Sequence, residues 1–227
     1  MKGVEMKKIL FSILAMLVVF VLTAPAHAFL INRGTDTLGN RLIYDNDRDI
    51  TWYDFSNAAN TWQNQVNWAL GLSVTFDSTT YDDWRLPTTV DGPYVFGFDG
   101  TTTGGYNITT SEMGHLYYTE LGNLGYYATD GTNPQPGWGL TNTGDFQHLS
   151  ASAYWSGTGY GTSPNDAWVF NFNDGNQNTN NNVSNHYGLA VRSGDVAAVP
   201  EPGTIALLGI GLAGMAGYGV RRRRQRR

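Results

Sequence analysis

Three alternating aspartates share one short segment of the sequence, Asp45-Asn-Asp-Arg-Asp49. Carboxylates at every second position can converge on a Ca²⁺ ion, which takes about six to eight oxygen ligands. The calcium loop of EF-hand proteins requires a glycine after the third ligand, whereas Ile50 follows here. Asp45, Asp47 and Asp49 are therefore the candidate calcium ligands. A solvated acidic turn is the alternative, and no other cofactor is expected.

Three other side chains are candidates for binding a ligand. Trp138 and Tyr160 each lie between two glycines in segments predicted to be loops. Exposed rings of this kind can stack on the C–H faces of sugars or anchor an interface. Arg85 can hold a ligand carboxylate through two parallel hydrogen bonds. The alternatives are packing of both rings against the core, and an ion pair between Arg85 and Asp82 or Asp83.

The composition and the spacing of residues exclude several kinds of catalytic and metal-binding chemistry. The chain contains no cysteine, which excludes thiol nucleophiles, cysteine-bound zinc and disulfides. His115, His148 and His186 are too scattered for the H-x-x-x-H or H-E-x-x-H spacing of zinc enzymes. The sequence also has no G-x-S-x-G motif. We therefore expect a non-catalytic protein, with an extracellular hydrolase as a remote alternative.

The central region, residues 29–199, is strongly acidic. It holds five arginines, no lysine and 17 aspartates and glutamates, which leaves a net charge of −12. Such a surface repels nucleic acid and other polyanions and attracts divalent cations. No nucleic-acid partner is therefore expected. The length suits one domain that buries its own core without disulfides.

Hydrophobic periodicity predicts two helices in this domain. The first is expected over 57–70, with Ser56 as its N-cap and Gly71 just beyond its end. The second is expected to begin near Thr110, behind a capping box formed by Thr109 and Glu112. Its apolar stripe consists of Met113, Leu116, Tyr117 and Leu121.

Short runs of aromatic and β-branched residues predict strands. These runs are residues 41–44, 50–52, 153–156, 167–172 and 188–192. The first two of these runs are predicted to form a β-hairpin. The asparagine-rich segment 173–185 is predicted to be a solvent loop. Two helices and a short-stranded antiparallel sheet indicate an α+β domain.

Residues 1–28 have the pattern of a signal peptide. Lysines precede an apolar run over 9–22, and Ala26 and Ala28 supply the small residues that signal peptidase recognises. Cleavage after Ala28 is therefore expected. A retained N-terminal anchor is the alternative, although the apolar run is short for a spanning helix.

Residues 200–227 form a second targeting segment in three parts. The parts are the motif Pro200, Glu201 and Pro202, an uncharged apolar stretch over 204–220, and an arginine-rich tail over 221–227. At about 1.5 Å per helical residue, the apolar stretch can cross a thin bilayer. The positive-inside rule keeps the arginines in the cytoplasm and places the domain outside.

This tail resembles the PEP-CTERM sorting signal of Gram-negative bacteria. The resemblance implies export across the inner membrane, transient anchoring, and cleavage by an exosortase near Pro200, Glu201 and Pro202. It further implies delivery to the cell surface or the extracellular polysaccharide matrix. An ordinary C-terminal membrane anchor is the alternative, with the same topology but without cleavage.

A second resemblance rests on segments of the central region. They are Ile50-Thr-Trp-Tyr-Asp54, Asp82-Asp-Trp-Arg-Leu-Pro-Thr88, Ser111-Glu-Met-Gly-His-Leu116, Tyr154-Trp-Ser156 and the closing run from Trp168 to Arg192. In this order they resemble the Lcl C-terminal-like domain family, formerly a domain of unknown function, which occurs in a bacterial collagen-like adhesin. The resemblance implies a C-type-lectin-like α+β fold and suggests adhesion or glycan binding. That adhesin binds anionic polysaccharide, and a domain with a net charge of −12 is not suited to the same ligand.

Together these features predict an exported, non-catalytic domain of the cell surface or a biofilm matrix. Its partners are expected to be signal peptidase and exosortase during export, and extracellular polysaccharide or surface proteins afterwards. A purely structural matrix component without a discrete binding site is the alternative.

Overall fold

The computed structural model describes residues 29–196. The signal-peptide segment 1–28, with Ala26 and Ala28, and the sorting segment 200–227, with Pro200, Glu201 and Pro202, lie outside the described residues. In chain order the elements are β1 (Leu30–Thr35), β2 (Arg41–Asp45), β3 (Ile50–Asn60), α1 (Trp62–Leu70), β4 (Val74–Phe76), β5 (Thr79–Tyr81), β6 (Phe96–Gly97), β7 (Gly104–Gly105), α2 (Glu112–His115), a π-helical turn (Leu116–Glu120), β8 (Ala153–Gly159), β9 (Asp166–Asn171), β10 (Asn176–Asn181) and β11 (His186–Ser193).

Nine of these strands form one large sheet in the order β1-β2-β3-β11-β8-β9-β10-β7-β6. The architecture is mostly sheet with two short helices, as the α+β prediction requires. The sheet is not purely antiparallel, however, because β11 runs parallel to β8 and β6 runs parallel to β7. β1 to β3 precede both helices, and β8 to β11 follow them.

The predicted hairpin is confirmed, and its second strand is longer than expected. β2 and β3 pair from Leu42 with Tyr53 to Asp45 with Ile50. β3 then continues to Asn60, through residues that the sequence assigned to the first helix. These residues pair with β11 instead, so that tertiary hydrogen bonding overrides a helical pattern.

The first helix is therefore shorter than predicted. α1 begins at Trp62 with Thr61 as its N-cap, and Gly71 ends it as expected. Ser56 does not cap it: the Ser56 hydroxyl donates a hydrogen bond of 2.5 Å to the carbonyl oxygen of His148. Ala69 is fully buried, and the partly buried Trp62 and Val66 pack against the same hydrophobic cluster.

The second helix has the predicted stripe but a different cap. Ser111, not Thr109, is the N-cap, and its Oγ accepts a hydrogen bond from the backbone N–H of Gly114 at 3.1 Å. After one α-helical turn the chain widens into a π-helical turn. All four stripe residues are buried, and they are Met113, Leu116, Tyr117 and Leu121.

The asparagine-rich segment 173–185 is not a loop throughout, because β10 lies within it. β10 pairs residue by residue with β9, from Asn176 with Asn171 to Asn181 with Asp166. Gln177 is the one buried side chain of this strand. Backbone pairing with a buried neighbour thus forms a strand that has no hydrophobic pattern of its own.

Side chains pack on both faces of the sheet. Neighbouring residues of a strand point to opposite faces, and Trp52 and Tyr53 accordingly belong to two different hydrophobic clusters. The cluster around Trp52 also contains the stripe of the second helix. The cluster around Tyr53 contains both Trp84 and Leu86. Within 29–196, helices that are long and apolar enough to cross a bilayer are absent.

Candidate functional site

A buried carboxylate lies at the end of β2. Asp45 is fully buried, and its Oδ1 accepts hydrogen bonds from the backbone N–H groups of Asp47 at 3.1 Å and Arg48 at 3.0 Å. These bonds fix the turn between β2 and β3. Its Oδ2 is buried as well but has no hydrogen-bond partner among the residues that the structure describes. A buried charged oxygen without a partner is costly, and such an atom calls for an explanation.

The second helix brings two more ligand-type side chains to Asp45. His115 ends α2 and Glu120 ends the π-helical turn, five residues later. Because a π-helical turn bonds residues five apart, both side chains reach the same place: Nε2 of His115 lies 3.2 Å from Oε1 of Glu120. One ligand atom each from Asp45, His115 and Glu120 lies within 4.8 Å of the other two.

Asp47 completes this group, which we call the acidic cluster (Asp45, Asp47, His115 and Glu120). Its Oδ2 lies 3.6 Å from Nε2 of His115, and its side chain is 40% exposed. The other three side chains are largely buried. The cluster therefore has three buried members and one member at the surface.

Electrostatics in the cluster favour neutral side chains or a bound cation. Burial, together with the carboxylates of Asp45 and Asp47, raises the pKa of Glu120 to about 7. Burial and the nearby Arg48 lower the pKa of His115, whereas Asp45 and Asp47 oppose this shift. Three carboxyl groups are thus held close together with an imidazole whose neutral form is favoured by burial. Asp45, His115 and Glu120 are the described residues best placed to hold a metal ion.

Of the three candidate calcium ligands, two lie in the acidic cluster and one does not. Asp45 and Asp47 belong to the acidic cluster, but the carboxylate of Asp49 instead accepts a hydrogen bond of 2.9 Å from the hydroxyl of Tyr44. His115 and Glu120, which the sequence reasoning missed as ligands, lie where a third donor is needed. One signal could have pointed to Glu120: residues 29–199 contain only two glutamates, and both lie in or next to the second helix.

A second feature is a row of exposed and half-buried aromatic rings near the β6 edge of the sheet. We call it the aromatic surface, and its members are Phe96, Phe98, Tyr126, Tyr127 and Trp138. Phe96, Phe98 and Trp138 are 52%, 38% and 37% exposed. The ring centroids of Phe98 and Tyr127 are 6.3 Å apart in a stacked arrangement, and those of Tyr126 and Trp138 are 5.1 Å apart. Tyr126 and Tyr127 join the two pairs at 5.5 Å.

The two aromatic residues predicted to bind a ligand therefore lie in different environments. Trp138 belongs to the aromatic surface. Tyr160 is used internally: its hydroxyl accepts a hydrogen bond from the backbone N–H of Tyr94 at 3.0 Å, and its ring packs edge-on against Trp168. Phe96 and Phe98 were not among the residues predicted from the sequence to bind a ligand.

Arg85 makes an internal ion pair with an unexpected partner. Its Nη1 and Nη2 donate hydrogen bonds of 2.7 Å to the two carboxylate oxygens of Glu112. The predicted pairing with Asp82 or Asp83 is wrong, because Asp83 instead binds Arg192 at 2.7 Å. Backbone hydrogen bonds between Arg85 and Val191 hold the segment against β11. The guanidinium thus serves to join two parts of the domain.

Comparison with known proteins yields one match. Residues 198–224 match the PEP-CTERM protein-sorting motif. The motif indicates a secreted protein that an exosortase sorts through a membrane-anchored C-terminal signal, in keeping with a cell-surface or extracellular location. No curated protein and no solved structure matches the chain. The match covers the sorting signal alone and carries no information on what the central domain binds.

Proposed function

We propose that this exported protein is a non-catalytic binding component of the cell surface or extracellular matrix, and that its central domain binds neutral glycans through the aromatic surface. The observation that carries the proposal is the connected row of rings, three of them exposed and two half-buried, on a domain with a charge of −12. Aromatic faces suit the apolar C–H faces of sugars. The negative charge disfavours anionic polysaccharides at long range.

The resemblance to the Lcl C-terminal-like domain supports the same proposal. It suggests adhesion or glycan binding on a C-type-lectin-like scaffold, and the PEP-CTERM resemblance suggests the matrix of a Gram-negative bacterium. A purely structural matrix component is the second candidate function. The specific observation in its favour is that Arg85 and Tyr160 both make internal contacts, so fewer side chains remain for a ligand.

Replacing Trp138 or Phe98 by alanine is expected to weaken binding of the best neutral oligosaccharide about tenfold, because a central aromatic contact is lost. The melting temperature of each variant is measured alongside and shows whether the fold is retained, because both rings are only partly exposed. Binding is measured on an array of neutral and sulfated glycans and then by calorimetry. Leu38→Ala is the matched control, because Leu38 is 81% exposed on the turn between β1 and β2, at the opposite end of the sheet order.

Two results would count against glycan binding. The first is an array on which no neutral glycan binds the wild-type protein, which would favour the structural candidate. The second is a bound glycan whose affinity is unchanged in both aromatic variants. Preference for sulfated over neutral glycans would also contradict the argument from charge.

Processing by the exosortase gives an independent prediction. Replacing Pro200, Glu201 and Pro202 by alanines is expected to leave uncleaved protein in the membrane fraction, because the recognised motif is lost while the apolar stretch remains. Mass spectrometry of the wild-type protein should find a chain that begins at Phe29 and ends near Pro202. Gln225→Ala, which keeps the arginine tail, should be processed normally. Release of the triple-alanine variant at the wild-type level would contradict the prediction.

A further inference from the structure

We propose that the acidic cluster is a binding site for one divalent transition-metal ion, with Zn²⁺ as its representative. The proposal does not depend on glycan binding or on the aromatic surface. Its first basis is the convergence of Asp45, His115 and Glu120 within 4.8 Å. Its second is Oδ2 of Asp45, a fully buried oxygen that lacks a hydrogen-bond partner among residues 29–196.

Distances between the donors suit a single ion. Zn–N and Zn–O bonds are about 2.0–2.2 Å long, so the donors of a tetrahedral site lie about 3.3–3.6 Å apart. Nε2 of His115 is already 3.2 Å from Oε1 of Glu120 and 3.6 Å from Oδ2 of Asp47. Small side-chain shifts toward a common centre would complete the site with Asp45.

The donor types decide which metal the site should prefer. Ca²⁺ and Mg²⁺ select sites made of oxygen donors alone, whereas an imidazole nitrogen suits zinc and its first-row neighbours. The acidic cluster offers one imidazole nitrogen and the oxygens of three carboxylates. The carboxyl groups of Asp45, Asp47 and Glu120 can all serve as anionic ligands once a divalent cation is bound, and His115 shifts the preference toward the transition metals.

The surroundings of the cluster orient one ligand atom and leave the site accessible from solvent. Oδ1 of Asp45 is held by two backbone N–H groups, which orient the carboxylate and leave Oδ2 for the ion. Asp47 lies at the surface and gives the ion a route from solvent. Glu120 also borders a surface pocket of about 400 Å³, next to Phe29 and Asp145.

A bound ion would connect parts of the chain that are distant in sequence. Asp45 and Asp47 belong to the turn between β2 and β3, whereas His115 and Glu120 belong to the second helix. A ligand that binds the folded state alone raises its stability by mass action. In a domain without disulfides, the ion would act as a crosslink between the hairpin and the helix.

The test uses the exported, processed protein after removal of bound metal by a chelator. Titration with ZnCl₂ in a calorimeter is expected to give one ion per chain, bound at least tenfold more tightly than Ca²⁺ or Mg²⁺. The melting temperature should rise by several degrees on addition of Zn²⁺. Co²⁺ should bind the same site and produce a visible absorption band, which reports nitrogen and oxygen ligands directly.

Asp45→Asn and Glu120→Gln should each weaken Zn²⁺ binding at least tenfold. Both changes keep the size of the side chain, and the asparagine introduced in place of Asp45 would still accept the two turn hydrogen bonds through its amide oxygen. The metal-free melting temperature of each variant shows that the fold is retained. Asp49→Asn is the matched control, because it removes the same charge from the same turn while its side chain faces Tyr44.

Three outcomes would overturn the proposal. One is the absence of stoichiometric Zn²⁺ binding to the wild-type protein. Another is equal loss of affinity in Asp49→Asn and Asp45→Asn, which would indicate diffuse attraction to an acidic turn. The third is Ca²⁺ binding that matches or exceeds Zn²⁺ binding, since it would remove the role assigned to His115.

Discussion

Arg85→Met is expected to lower the free energy of unfolding by about 3 kcal/mol. The side chain of Glu112 is 12% exposed, and both of its carboxylate oxygens bind the Arg85 guanidinium. Methionine fills much of the same space but leaves the buried carboxylate without its cation. Oε2 of Glu112 would keep one hydrogen bond, from the backbone N–H of Thr88 at 2.6 Å. We expect the loss at the lower end of the range for buried pairs because Arg85 itself is 32% exposed.

Urea unfolding of the purified protein measures this loss, and Arg41→Met is the matched control. Arg41 forms an ion pair with Asp145 at 3.7 Å, and the acidic partner in this pair is 50% exposed. Surface pairs contribute about 0–1 kcal/mol, so the control should lose far less. The double variant Arg85→Met, Glu112→Gln should recover part of the loss, since no buried charge remains unpaired. Equal losses of unfolding free energy in Arg85→Met and Arg41→Met would show that the buried pair with Glu112 contributes no more to stability than a surface pair.

Local pattern was enough to predict the parts of the fold that depend on near neighbours in sequence. The hairpin follows from two β-rich runs around an acidic turn, and the buried stripe of the second helix follows from helical spacing. Both patterns come from residues only a few positions apart. Trp84 and Leu86 face the same side for the same reason, since alternate residues of an extended chain share a face.

Distant partners decided the features that the sequence did not reveal. Residues 57–60 read as helix but pair with β11, which lies far along the chain. β10 is a strand because β9 lies beside it, not because of its own side chains. In each case the deciding contact is a backbone hydrogen bond to another strand, about which the periodicity of the segment carries no information.

Contacts between residues distant in sequence also explain why only part of each candidate site could be predicted. The alternation in the acidic turn predicted three converging aspartates, whereas Asp49 turns away to Tyr44. His115 and Glu120 reach Asp45 only because a π-helical turn follows α2, and such a turn has no simple sequence signature. Arg85 was paired with its neighbours in sequence, whereas Glu112 lies 27 residues away.

Gly114→Ala should destabilise the protein by about 3 kcal/mol, although helix propensity alone predicts a gain of about 1 kcal/mol for this exchange. A Cβ atom at position 114 would lie 2.1 Å from the carbonyl oxygen of Ile108 and 2.7 Å from Oγ of Ser111. The first contact is with backbone, which cannot rotate away. The second is with the hydroxyl that caps the helix through the N–H of Gly114. Relief therefore requires the helix to shift or its cap to break.

Thermal and urea unfolding distinguish this clash from a general cost of removing a glycine. Gly122→Ala is the control: its φ of 63° makes alanine unfavourable by about 1–2 kcal/mol, but a Cβ there meets nothing within 4 Å. The Gly114 variant should lose more than the control, and because His115 is the next residue, Zn²⁺ binding should weaken as well. A Gly114→Ala protein as stable as the wild type would contradict the predicted clash with Ile108 and Ser111.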